Sequence, residues 1–242
     1  LLCDFLKSIT LTPKSNIYQP GIIFRKLIFF GRCYKFLNLK TIKKSNKISS
    51  VNHVEEYNQL LFQWNETDKD YPGDKTIFQL FEEQVERTPE RIALVFEGRK
   101  LTYRELNEKS NQLARHIRVQ YKKRTNHTLK PDTMIALCLD RSLEMVIGIL
   151  GVLKAGGAYV PIDPSYPQER LDYILNDSQC ELLLIRDLNF DCNLKLPKDK
   201  VVHIAMSEGF YQKENSSNPG LYNLSTNAGY VIYTSGTTGK PK

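Results

Sequence analysis

At 242 residues the chain is long enough to bury a substantial core, as one large domain or two small ones. Its 41% hydrophobic, 25% charged and 10% aromatic residues are ordinary for a globular protein, and no stretch approaches the ~20 apolar residues that span a bilayer. The formal charge of +7 is concentrated at one end: residues 1–50 carry ten Lys/Arg against Asp4 alone, while the other 24 bases face 26 acids. A nucleic-acid-binding role for the main body therefore loses its electrostatic basis.

The first fifth differs from the rest. In "GIIFRKLIFFGRCYKF" short apolar runs are broken by bases. The segment reads as a basic amphipathic helix touching a membrane surface, as the tail of an upstream domain, or as a segment that never folds natively. Residues 1–52 stay unassigned. From Glu55, "EEYNQLLFQWNET" predicts a short helix leading into the polar linker "DKDYPGDK". "KTIFQLFEEQVERTPE" then predicts a helix with Ile77, Leu80, Phe81 and Val85 on one face, capped by Asp74 and ended by Pro89.

"IALVFEGRKLTY" predicts a hairpin of Ile92–Phe96 and Lys100–Thr102 turning at Glu97-Gly98. Thr102-x-x-Glu105 has the form of a capping box, opening a helix that carries Leu106, Leu113 and Ile117 inward. The run Lys122-Lys123-Arg124 is expected in a solvated loop. "MIALCL" (134–139) reads as a buried strand, followed by an apolar helix over Leu143–Lys154 that ends at Gly156-Gly157.

"AYVPID" predicts a short strand whose Pro161 confines it to an edge or terminal position. A helix capped by Ser165 with Gln168 follows. Further strands are expected at "CELLLI", Val201–Ile204 and Tyr230–Tyr233, with loops at 189–200 and 208–227. Strands alternating with helices predict an α/β fold with a mostly parallel sheet. Five cysteines, an odd number with no CxxC pair, argue for reduced, mostly buried thiols. His53, His116, His127 and His203 show no metal-ligand spacing, and no metal site is expected in the chain.

The last ten residues, "YTSGTTGKPK", carry the chemistry. Gly236 and Gly239 let backbone N–H groups turn inward around an anion. The hydroxyls of Thr234, Ser235, Thr237 and Thr238 can donate to phosphate oxygens, and Lys240 and Lys242 supply positive charge. A Walker A loop is excluded, because Pro241 stands where that motif needs Ser or Thr.

This stretch resembles the phosphate-loop signature of the adenylate-forming enzymes, the AMP-dependent synthetase and ligase superfamily. "LTYRELNEKSNQLARHIR" and "LKAGGAYVPIDPSYPQERLDYILNDS" are similar to two further signatures of nonribosomal peptide synthetase adenylation domains. "LLFQWNETDKDYPGDKTIFQLFEEQ" is similar to the lead-in from an upstream condensation domain. The resemblance covers about residues 53–242. Two stretches depart from it. "RVQYKKRTNHTLKPDT" is several residues longer than the usual connection, and residues 1–50 do not resemble the end of a condensation domain.

The resemblance implies the N-terminal part of an adenylate-forming large domain, incomplete at its C-terminus. Residues 53–75 would be the condensation-to-adenylation connection and residues 76–242 the truncated AMP-binding portion. It implies ATP-dependent activation of an amino acid to an aminoacyl adenylate with release of pyrophosphate, with Mg2+, followed by thioester loading onto phosphopantetheine of a carrier domain outside this chain. Partners would be the amino-acid substrate and the condensation and carrier domains of a larger cytoplasmic synthetase. Thr234, Ser235, Gly236, Thr237, Thr238, Gly239, Lys240 and Lys242 would hold the β/γ-phosphates.

Tyr103, Leu106, Tyr159 and Pro161 are expected to pack, and Asp163 and Asp177 to act as caps. The resemblance places no catalytic residue within the chain, so residues 1–242 alone are expected to be inactive and poorly stable. Two alternatives stay open: a stand-alone acyl- or aryl-adenylating ligase, and a non-catalytic truncated remnant.

Overall fold

The computed structural model describes residues 54–68, 70–186, 200–205, 209 and 211–234, with the backbone only for 54–56. The basic segment, most of the loop at 189–200 and residues 235–242 lie outside the described residues. The chain divides into two compact units between Pro72 and Gly73, within the polar linker stretch.

The described part of the first unit is the short helix α1 (Val54–Leu61) and a 3-10 turn, Gln63–Asn65. Asn65 ends the helix by donating from Nδ2 to the Leu60 and Leu61 carbonyls, at 2.9 and 3.1 Å. These are carbonyls that a helix end leaves unpaired.

The second unit opens with α2 (Ile77–Arg87). Its N-cap is Thr76 rather than the expected Asp74. The Thr76 hydroxyl accepts from Gln79 N, and the Gln79 side chain accepts from Thr76 N in return. Thr76 lies immediately before the first helical residue, where a side-chain oxygen reaches the third amide. Of the expected face Phe81 is buried and Val85 packs against the core, but Phe78 takes the place of Ile77, which is 44% exposed. An i, i+3 aromatic pair outcompetes the aliphatic neighbour for the interior because each ring removes more apolar area from water.

The hairpin forms as expected from β1 (Ile92–Phe96) and β2 (Arg99–Thr102). Glu97 and Gly98 turn it with φ of 47° and 79°, the two positive values that a tight two-residue hairpin turn needs. Thr102 and Glu105 make the capping box of α3 (Tyr103–Thr125), which buries Leu106, Leu113 and Ile117 completely. Lys122, Lys123 and Arg124 are not in a loop. They form the last turn of α3, where positive charge offsets the negative end of the helix dipole. Asn126 then stops the helix at φ 59°. Residues 118–125 of the stretch "RVQYKKRTNHTLKPDT" are thus helix.

A four-stranded parallel sheet in the order β4-β3-β5-β6 forms the centre, from β3 (Met134–Cys138), β4 (Ala158–Ile162), β5 (Leu183–Ile185) and β6 (Val201–His203). Alternation sorts its two faces. Ile135, Leu137, Leu184 and Val202 pack with α3 and with α4 (Leu143–Ala155). Ala136, Cys138, Val160, Ile162, Leu183 and Ile185 pack with α5 (Gln168–Asp177) on the other side. Helices therefore cover both faces, as buried parallel strands require. Cys138 and Cys180 are buried free thiols.

Ser165 does not cap α5, whose N-cap position is Pro167, without a side-chain hydrogen bond. Ser165 instead donates its amide and hydroxyl to Asp163 Oδ1, at 2.9 and 2.7 Å, in the turn that leaves β4. Pro167 supplies a φ of −55°, already suited to starting a helix.

Candidate nucleotide site

The approach to the Thr/Ser/Gly/Lys segment is pinned at successive points. Asp132, in the turn before β3, accepts from Ala228 N at 2.7 Å and from Asn227 Nδ2 at 3.0 Å. Asn227 Oδ1 closes its own turn by accepting from Leu224 N at 2.8 Å. The chain then runs parallel to β4, where Tyr159 donates to the Gly229 carbonyl at 3.1 Å and accepts from Val231 N at 3.0 Å. The Tyr159 and Tyr230 rings pack at 5.7 Å between centroids. Burial, with Tyr230 as a smaller contribution, pushes the Tyr159 phenol up to about 12, so it stays a neutral packing group.

The sequence predicts Tyr230–Tyr233 as the last strand. Only one bridge of it forms, between Tyr159 and Tyr230. In a parallel ladder the next rung from β4 would need the N–H of residue 161, and Pro161 has none. Proline thus ends the ladder after one step.

Two residues on, the Tyr233 hydroxyl donates to Asp177 Oδ2 at 2.6 Å, and its ring meets Tyr173 edge-on, 6.4 Å between centroids at 89°. Partial burial raises the Tyr233 phenol above its usual range, and the bond to Asp177 adds to that. Because the segment is parallel to β4, it delivers Thr234, which is exposed, toward the carboxyl edge of the sheet. Open α/β sheets present ligands at that edge. Ser235, Gly236, Thr237, Thr238, Gly239, Lys240 and Lys242 lie outside the described residues.

The remaining named positions pack or brace. Tyr103 is buried against Phe81, with centroids 6.0 Å apart, and Leu106 is fully buried. Asp163 closes a turn and Asp177 holds Tyr233, so neither acts as a helix N-cap.

The sequence marks Lys154 only as the end of a helix. In the structure it is a fully buried ammonium bonded to Glu82, to Asn107 Oδ1 at 2.6 Å and to Asn111 Oδ1 at 2.7 Å. A signal for this was present: α4 is otherwise apolar all round, and its two charges, Glu144 and Lys154, both end up inside. A charge on a wholly buried helix must find partners. Glu144 faces Arg99 at 3.6 Å.

Among the described residues no group of three His, Cys, Asp or Glu side chains could hold a metal ion. None of their helices is long and apolar enough to cross a membrane.

The family described as "AMP-binding enzyme" matches residues 81–242. Bacitracin synthase 3 of Bacillus licheniformis is 38% identical over 228 residues, which cover 94% of this chain and 4% of that protein. Gramicidin S synthase 2 of Brevibacillus brevis is 46% identical over 198 residues, 81% of this chain and 4% of that protein. The chain thus spans less than a tenth of the length of these curated relatives.

Among solved structures, the nonribosomal peptide synthetase FmoA3 in its α-methyl-L-serine-AMP-bound form aligns with a TM-score of 0.63 at 25% identity, covering 74% of this chain and 18% of that one. The N-terminal subdomain of Klebsiella oxytoca NpsA aligns at 0.56 and 28% identity, covering 70% of this chain and 41% of that one.

Proposed function

The chain belongs to the AMP-binding enzyme family, and on that premise we propose that it is part of an amino-acid-activating unit of a peptide synthetase. The observation that carries the reading is the pinned approach from Asn227 to Tyr233, which brings Thr234, where the Thr/Ser/Gly/Lys segment begins, toward the carboxyl edge of a parallel sheet. That segment is rich in the donors and cations that phosphate needs. The α-methyl-L-serine-AMP bound by the peptide synthetase FmoA3 supports an amino acid as the activated acid.

Mg·ATP enters as substrate. The amino-acid carboxylate attacks the α-phosphorus, the bond to the β-phosphate bridging oxygen breaks, and pyrophosphate leaves with the charge. Thr234, Ser235, Gly236, Thr237, Thr238, Gly239, Lys240 and Lys242 are assigned to the β- and γ-phosphates, where donors stabilise that developing charge. The aminoacyl group then passes from AMP to a phosphopantetheine thiol of a carrier domain, with a condensation domain as the other partner. Dependence on ATP supports a cytoplasmic location for the unit.

The test is ATP–pyrophosphate exchange by the native polypeptide, captured with an antibody raised to residues 76–140 and offered a panel of amino acids. Exchange driven by one or a few amino acids is the expected result. Exchange driven only by fatty or aryl acids would replace this reading with a stand-alone ligase.

A further inference from the structure

Backbone pairing of the loop approach stops at Val231, because Pro161 offers β4's neighbour no further donor. Thr234, the first residue assigned to phosphate, is three residues on. What holds the chain across this gap is a pair of side chains one turn apart on α5, Tyr173 and Asp177. Tyr173 presents its ring to the Tyr233 ring edge-on, and Asp177 accepts the Tyr233 hydroxyl at 2.6 Å. Two contacts on one side chain fix both its position and its direction.

Helix stability alone does not account for Asp177. It is the last residue of α5, at the negative end of the helix dipole, and the last turn has no basic residue. A carboxylate there is disfavoured. Its position is justified by what it holds, a residue 56 positions later in the chain. The platform is rigid, since Leu171 and Ile174 of the same helix are fully buried against the sheet.

We propose that Asp177 and Tyr173 are positioning residues for nucleotide binding, acting through Tyr233 to hold the root of the phosphate segment at the carboxyl edge of the sheet. The proposal rests on the assignment of residues 234–242 to phosphate and adds the residues that aim them. Asp177 touches no reacting atom. It acts by removing conformational freedom from the residue before Thr234, so that binding nucleotide costs less ordering.

The experiment uses the native polypeptide, with Mg·ATP as the probe. Equilibrium affinity, thermal unfolding and amide hydrogen exchange of residues 230–234 are measured for wild type, Asp177→Ala, Asp177→Asn, Tyr233→Phe and the Asp177→Ala/Tyr233→Phe double variant. Each of Asp177→Ala and Tyr233→Phe is expected to weaken Mg·ATP binding about tenfold, the scale of one hydrogen bond to a charged group. The double variant should be no worse than the weaker single, because both remove the same bond. Asp177→Asn should retain most of the affinity, since its amide oxygen still accepts.

Unchanged affinity in both singles with an unchanged melt would overturn the proposal. So would additive losses in the double variant. Should the wild type not bind Mg·ATP, the phosphate assignment fails in this chain and exchange decides the clamp by itself. Faster exchange confined to 231–234 in the Asp177 and Tyr233 variants supports it, and exchange equal to wild type refutes it.

Discussion

The Lys154 ammonium lies 2.7 Å from Asn111 Oδ1, and that one bond sets which way the Asn111 amide faces. With its oxygen committed to Lys154, Asn111 donates from Nδ2 to the Ser216 carbonyl at 2.8 Å and to Asn218 Oδ1 at 2.9 Å. Asn107 repeats the arrangement, accepting from Lys154 and donating to Asn218 Oδ1 at 2.8 Å. Arg115, one turn on from Asn111, donates to the Asn215 and Ser217 carbonyls at 2.9 and 2.6 Å. A buried cation on α4 thereby orients two amides of α3, and α3 clips the irregular stretch 211–218 onto its outer face.

Lys154→Met keeps the volume and removes the charge. Asn111 would then keep a buried acceptor, and Glu82 and Asn107 half-buried ones, without this donor. The expected loss is about 3 kcal/mol, in the range for breaking a buried pair from one side. It is read from denaturant midpoints, with faster amide exchange in 215–218 as the local signature. A variant as stable as wild type with unchanged exchange would show that the cluster does not hold the stretch.

The same residue has a pH signature. Burial pushes the Lys154 ammonium down to about 8 from 10.5, with Glu82 pulling partly the other way. Between those values the unfolded chain keeps a proton that the folded chain has released. Stability therefore rises with pH in that window, and below pH 8 both states carry the proton and the slope vanishes. Measured against Lys154→Met, the wild type should gain from about pH 8 to 10.5, by at most about 3 kcal/mol. A gap constant with pH would contradict the lowered value.

Gly156 ends α4 at φ +92°, and an added Cβ would meet Tyr222 Cβ at 2.7 Å. Tyr222 cannot easily withdraw, because Arg118 stacks over its ring at 3.6 Å while donating to the Ala155 carbonyl at 2.7 Å. Gly156→Ala is expected to cost about 2 kcal/mol, combining left-handed strain with the clash. The check is the shift in unfolding midpoint. Gly98→Ala is the control, with φ +79° and no atom near its added Cβ, and should cost less.

Asp132 holds both Asn227 and Ala228 at the start of the loop approach. Asp132→Ala should accelerate amide exchange from 227 to 231 and leave α3 and α4 unaffected. Exchange spread evenly over the domain would mean that Asp132 serves global stability instead.

Lys240→Ala tests the phosphate assignment directly. In the native polypeptide it should lower pyrophosphate exchange on the order of 10²–10³-fold, the scale of one lost transition-state donor. Little change would move the charge-stabilising role away from this residue.

Features whose physics is local were legible in the chain itself. The Thr102/Glu105 capping box, the Glu97-Gly98 turn and the stop at Gly156 each depend on neighbours within a few positions. Pro161 announced a limit on pairing because a missing N–H is a property of the residue. The parallel α/β order and the donor-rich terminal segment followed from pattern and composition.

Tertiary packing decided the rest. Ile77 and Phe78 are both apolar, and only the helix's neighbours determine which is buried. Lys122–Arg124 read as loop because local charge does not reveal how far a helix can extend along a core. Lys154 meets partners 43, 47 and 72 residues away, and Asp177 meets one 56 away. The apolar helix around Lys154 marks that it needs partners, but nothing local marks which ones. The Lys154 contacts form because a desolvated charge takes whichever partners the packed fold brings within hydrogen-bond reach, and the Asp177 contact because packing sets Tyr233 beside the end of α5.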